Sequence, residues 1–68
     1  MTLKAPTDPH RTHRENVRAA CEGSTLQALY EWRSKLEDGA EKGRTGGYRE
    51  LSRVAVEAVT EAIAERRA

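Results

Sequence analysis

The stretch from Tyr48 to Arg66 contains no glycine and no proline and is rich in strong helix formers. Projected at about 100° per residue, Leu51, Val54, Ala55, Val56, Ala58, Val59, Ala62 and Ile63 cover an arc of about 200°. One neighbouring helix needs about half of such an arc. The segment therefore predicts a long helix with two apolar flanks. One flank suits a preceding helix, and the other is left for a third helix or a second subunit. Arg66 and Arg67 suit the negative pole at its end.

Ahead of it stands Gly43-Arg44-Thr45-Gly46-Gly47, where three glycines in five residues predict a turn. Further upstream, Ser24-Thr25-Leu26-Gln27 has the spacing of a capping box. Leu26, Leu29, Tyr30 and Leu36 follow at helical intervals over about 160°, with Trp32 at the edge of the stripe. Glu31 and Lys35 are spaced to pair on the wet side. Gly39 is the first plausible stop, although Ala40 would extend the stripe if the helix ran on to Lys42.

A weaker helix is expected before this one. Thr12-His13-Arg14-Glu15 also has capping-box spacing, and Gly23 marks a stop. Only Val17, Ala20 and Cys21 offer it an apolar face, so it needs a surface to dock on. Residues 1–11, with Pro6 and Pro9, read as a flexible tail. The expected fold is all-α: a short N-terminal helix plus an antiparallel helical hairpin. Residues 12–68 would form a single helical domain, with helices at about 13–22, 25–41 and 48–66.

At 68 residues and with no Phe, one core supplies little stability, and such chains usually add a staple. A lone cysteine, Cys21, excludes an internal disulfide. That leaves self-association or a partner, and an oligomer is expected. A net charge of +1 points to neither nucleic acid nor membrane, and no apolar run is long enough for a span or signal. A cytoplasmic location follows as the expectation.

Catalytic and metal chemistry find little support. His10-x-x-His13 lacks the further ligands that zinc needs, and reads as a solvated tail. Gly39 to Thr45 differs from a phosphate-binding loop in spacing and in carrying Arg44 where a lysine is required. It reads as an interhelical turn. Cys21 has no partnered base and reads as a small buried apolar residue. With no paired carboxylates and no Ser/His/Asp grouping, the chain reads as a binding protein without a cofactor.

Two basic groups are candidates for phosphate contact: Arg11, Arg14 and Arg18, and then Lys42, Arg44, Arg49 and Arg53. Nearby carboxylates dilute both, so a solvated mixed-charge surface is the competing reading. Glu57, Glu61 and Glu65 form an acidic stripe that either faces solvent or meets arginines of a neighbouring molecule. Arg33 interrupts the apolar stripe of the second helix. Its stem either passes along Tyr30 or pairs with a glutamate across an interface. Trp32, Arg33, Val54, Val56, Val59 and Ile63 are the candidate protein interface.

The segment Gly23 to Arg66 resembles the C-terminal helical hairpin of small terminase subunits from phages of actinobacteria. The resemblance lies in Leu26-Gln27-Ala28-Leu29 with Arg33 and Leu36, then the polar turn, then Leu51-Ser52-Arg53. The chain departs from that pattern in its valines in helix three and in lacking the larger N-terminal DNA-recognition portion. The resemblance implies a non-enzymatic packaging adaptor that forms a ring, recognises double-stranded phage DNA and passes it to a separate motor subunit. A second expectation is a small inhibitor or regulator, antitoxin-like or anti-defence, that binds one host protein through the exposed face of helix three.

Overall fold

The computed structural model describes residues 9–68, so most of the expected tail lies outside the described residues. The fold is all-α. Helix α1 spans Arg11–Glu22, α2 spans Leu26–Lys42 and α3 spans Gly46–Arg67. No helix among the described residues is long and apolar enough to cross a membrane.

Each helix starts a little away from where the sequence signals placed it. Helix α1 opens at Arg11 with His10 as N-cap and no side-chain cap, so Thr12 lies inside the helix. The Thr12–Glu15 capping box is therefore not used. Glu15 instead accepts a hydrogen bond from Arg11 Nε at 3.0 Å. At α2 the cap is Thr25, one residue after Ser24, and its hydroxyl accepts from the Ala28 amide at 3.1 Å. Glu31 accepts from Gln27 Nε2 at 3.2 Å in place of the expected pairing with Lys35.

Helix α3 begins at Gly46, earlier than the glycine-rich turn suggested. Thr45 explains the difference: its hydroxyl accepts from the Tyr48 amide at 3.0 Å and satisfies one of the first-turn donors. Gly46 and Gly47 then occupy the first turn, where a cap offsets part of their entropic cost. Helix α2 in turn runs through Gly39 to Lys42. A Cβ at Gly39 would lie 3.1 Å from Ser52 Oγ and 3.3 Å from Tyr48 Oη, so glycine there lets α3 approach closely.

Helix α3 is the centre of the fold. Helix α2 packs antiparallel to it, with Gly39 beside Ser52 and Tyr30 beside Arg67. Helix α1 packs on α3 in the same direction: His10 meets Glu50, Arg14 meets Glu57, and Arg18 meets Glu61 and Glu65. Helices α1 and α2 touch each other little, and the molecule is only 17 Å through its thinnest axis. Helix α3 thus carries both of the fold's main helix contacts.

Leu29 and Val59 are the largest fully buried side chains, and Val17, Cys21, Ala55, Ala58, Ala62 and Ile63 complete the core. Leu26, Tyr30, Trp32 and Leu36 are half-buried against it. The second flank of α3, open in the sequence to either a third helix or a subunit, is taken by α1.

Candidate functional site

The α1–α3 contact is lined with charged pairs. Arg18 places Nη1 3.1 Å from Glu61 and Nη2 2.6 Å from Glu65. Arg14 Nη1 stands 4.0 Å from Glu57, and His10 Nε2 3.6 Å from Glu50. The hydrogen bond from Arg18 holds the Glu65 carboxyl below its ordinary range, and the same bond raises the Arg18 guanidinium. The acidic stripe therefore meets arginines of its own chain, not those of a neighbouring molecule.

His10 and His13 are not part of a free tail. His13 Nε2 lies 3.1 Å from the Leu51 carbonyl, which can only accept, so the ring donates there. Among the described residues no three His, Cys, Asp or Glu side chains gather as a metal site would need.

Arg66 closes the other end of this contact. Its guanidinium donates to the Ser24 carbonyl, to Cys21 O at 2.7 Å and to Glu22 O at 3.2 Å. It supplies donors to carbonyls left over at the α1 C-terminus. Cys21 sits beneath it, 2 % exposed. Burial pushes the thiol pKa up, while Arg18 and Arg66 pull against that shift. The sequence showed Arg66 only as a dipole partner for its own helix. Its role on α1 becomes visible only once the two helices are seen to run in parallel.

The seven candidate phosphate-binding cations separate into two kinds. Arg11 is tied to Glu15, Arg14 to Glu57 and Arg18 to Glu61 and Glu65. Lys42 pairs with Asp38 at 3.0 Å, which raises its pKa, and Arg49 Nη1 donates to the Gly43 carbonyl at 2.7 Å. Arg44 and Arg53 are exposed and make no ion pair among the described residues. Both lie toward the α2–α3 turn. Arg44 borders an open concavity there with Lys42, Gly43, Thr45 and Tyr48.

The candidate interface residues also divide. Val59 and Ile63 are 0 % and 4 % exposed within the chain's own core, and Val54 is buried on the flank that α1 covers. These three do not form a free surface, because α1 and α2 together consume most of the apolar arc of α3. Val56, Trp32 and Arg33 remain half-buried. Arg33 lies over the Tyr30 ring, its guanidinium carbon 5.4 Å from the centroid, while Arg67 Nη1 donates to Tyr30 Oη at 3.2 Å. The reading of Arg33 as a stem passing along Tyr30 therefore holds, with a cation–π contact added. Comparison with family models, curated proteins and solved structures gives no match to this chain.

Proposed function

We propose that this chain is a non-enzymatic, self-associating helical adaptor of the small-terminase kind, with DNA meeting the α2–α3 turn. The hairpin of α2 and α3 that carries the resemblance forms the body of the fold. The observation that carries the reading is the distribution of cations. Arg14 and Arg18 are engaged by α3 glutamates, whereas Arg44 borders an open concavity with Lys42. Neither Arg44 nor Arg53 makes an ion pair among the described residues, although Arg53 shares its hollow with Glu37 and Glu41. In this reading α1 is a structural strap, and the turn supplies the phosphate contacts.

The experiment is fluorescence anisotropy with labelled double-stranded DNA across a salt series. Phosphate neutralisation releases counterions, so affinity should fall steeply with salt. A double variant R44A/R53A should weaken binding and flatten the slope by about two, one for each lost phosphate contact. Absence of salt-dependent binding would remove the DNA role.

A second reading, a regulator that binds one host or phage protein, is favoured by a different observation. A net charge of +1 and arginines spent internally leave little cationic field for nucleic acid. A stable complex in a pull-down, without DNA affinity, would select it.

A further inference from the structure

One face of the α2–α3 contact carries two shallow concavities in line along the helices. At one end lie Arg33 and Arg67, with Thr60, Ile63, Ala64 and Ala68 beside them, and no acidic side chain borders it. At the other end lie Glu37 and Glu41 with Ala40, Arg53 and Val56, where two carboxylates stand against one arginine. All these positions recur at helical spacing on the same side of α2 and of α3. The face therefore has a basic end and an acidic end, with Val56 and Thr60 between them.

We infer that this seam is where two copies of the chain pair, face to face and antiparallel, about a two-fold axis lying across the helices. The inference rests on the self-association reading above and names one surface for it; a two-fold contact closes at a pair, so a ring would need a second, head-to-tail surface as well. An isologous pairing makes each contact twice, with residue i against j and j against i. Antiparallel stacking sets Arg33 of each copy over Glu37 and Glu41 of the other, while Arg67 comes over the end where Arg53 stands, so the α2 contacts carry the attraction. Parallel stacking sets like charge over like and is disfavoured. Val56 and Thr60 fall near the centre, where the approach needs small side chains.

Tyr30 fixes the basic end before any partner arrives. It holds Arg33 against its ring and Arg67 at its hydroxyl, so less side-chain freedom is lost on pairing. Arg53 to Arg67 spans about 21 Å of helix, and two helices of side chains give about 400 Å² per copy. That is small beside standard interfaces and implies a weak pair, with dissociation in the micromolar range or above.

The test uses light scattering after gel filtration, from about 10 µM to 1 mM, the range that a weak pair demands. Wild type should move toward an even-numbered assembly as concentration rises. R33E and E37R should each weaken association about tenfold, because each sets like charges together twice. Mixed in equal amounts, the two variants should associate again, since every reversed charge then meets its opposite. Circular dichroism on each variant confirms that the helices persist. If wild type assembles and both variants assemble equally well, the seam is not the interface and self-association uses another surface. Failure of the mixture to recover would also overturn the seam. A wild type that stays monomeric throughout would remove the self-association reading itself.

Discussion

Arg18 of α1 and Glu65 of α3 stand 2.6 Å apart across helices that run in the same direction. The same guanidinium also reaches Glu61 at 3.1 Å, so one arginine bridges two turns of α3. Exposed pairs are individually weak, and a shared one gains from geometry that is already fixed. Arg18→Ala should raise amide exchange across α1 by about three- to tenfold while leaving α2 nearly unchanged, a modest effect in keeping with exposed pairs. Equal protection in α1 before and after the change would deny the contact any role in docking.

The same pair sets an acid limit. The folded Glu65 pKa lies below its ordinary value of 4.5, so its contribution is present above that value. The contribution is lost as pH falls through the folded pKa. Acid should therefore loosen α1 before the hairpin. Wild type should lose exchange protection in α1 below about pH 4.5, as the carboxylate titrates. Glu65→Gln should show the loosened α1 already at neutral pH. If α1 and α2 lose protection together at every pH, the ionic contact does not govern docking.

Cys21 reports on α1 from below. Its thiol is 2 % exposed and its pKa is raised by burial, so alkylation requires α1 to lift. Because the folded pKa is raised, the thiol's contribution to stability is present at neutral pH and fades as pH rises past about 9.0. Arg66→Ala removes the donors to Cys21 O, Glu22 O and Ser24 O and should speed iodoacetamide labelling several-fold at neutral pH. Labelling as fast as for a free thiol in the unaltered chain would show that α1 is not seated.

Leu29 is fully buried in a core with few large members. Leu29→Ala should cost about 2–5 kcal/mol, a cavity-forming change that consumes most of the stability of so small a domain. The check is urea unfolding followed by helical circular dichroism. A loss below about 1 kcal/mol would place the residue outside a packed core.

The glycines should respond in opposite directions. A Cβ at Gly43 would lie 2.5 Å from Tyr48 Cδ2 and 2.7 Å from the Gly39 carbonyl, so Gly43→Ala should destabilise by about 1–3 kcal/mol. At Gly47 no neighbour lies within 4 Å and the backbone has no positive φ. Gly47→Ala should stabilise by about 0.4–1 kcal/mol through the unfolded chain. Matching signs at the two positions in thermal unfolding would contradict the packing at the turn.

Helix number and type were legible because the apolar stripes of α2 and α3 are periodic and their ends carry threonine caps and glycines. Boundaries were less so. Thr12 and Ser24 each head a capping-box pattern, yet neither caps, because α1 starts after His10 and α2 after Thr25. The wide arc of α3 announced two neighbours correctly but not their identity. That depended on Glu57, Glu61 and Glu65 facing Arg14 and Arg18, a match of charge between segments far apart in the chain. Either charge run alone reads as solvated surface, and Val54, Val59 and Ile63 read as interface until α1 and α2 are both placed.

The parallel seating of α1 on α3 also has a consequence in time. On the ribosome α1 is made well before the surface it rests on. Val17 and Cys21 then have no apolar counterpart, and Arg14 and Arg18 have no glutamates to meet, until Glu65 and Arg66 have been added. The hairpin of α2 and α3 closes over near neighbours, whereas α1 must be gathered back across the length of α2. For that interval the nascent chain displays an undocked, arginine-bearing first segment, and whatever meets the chain then meets apolar groups the finished fold conceals.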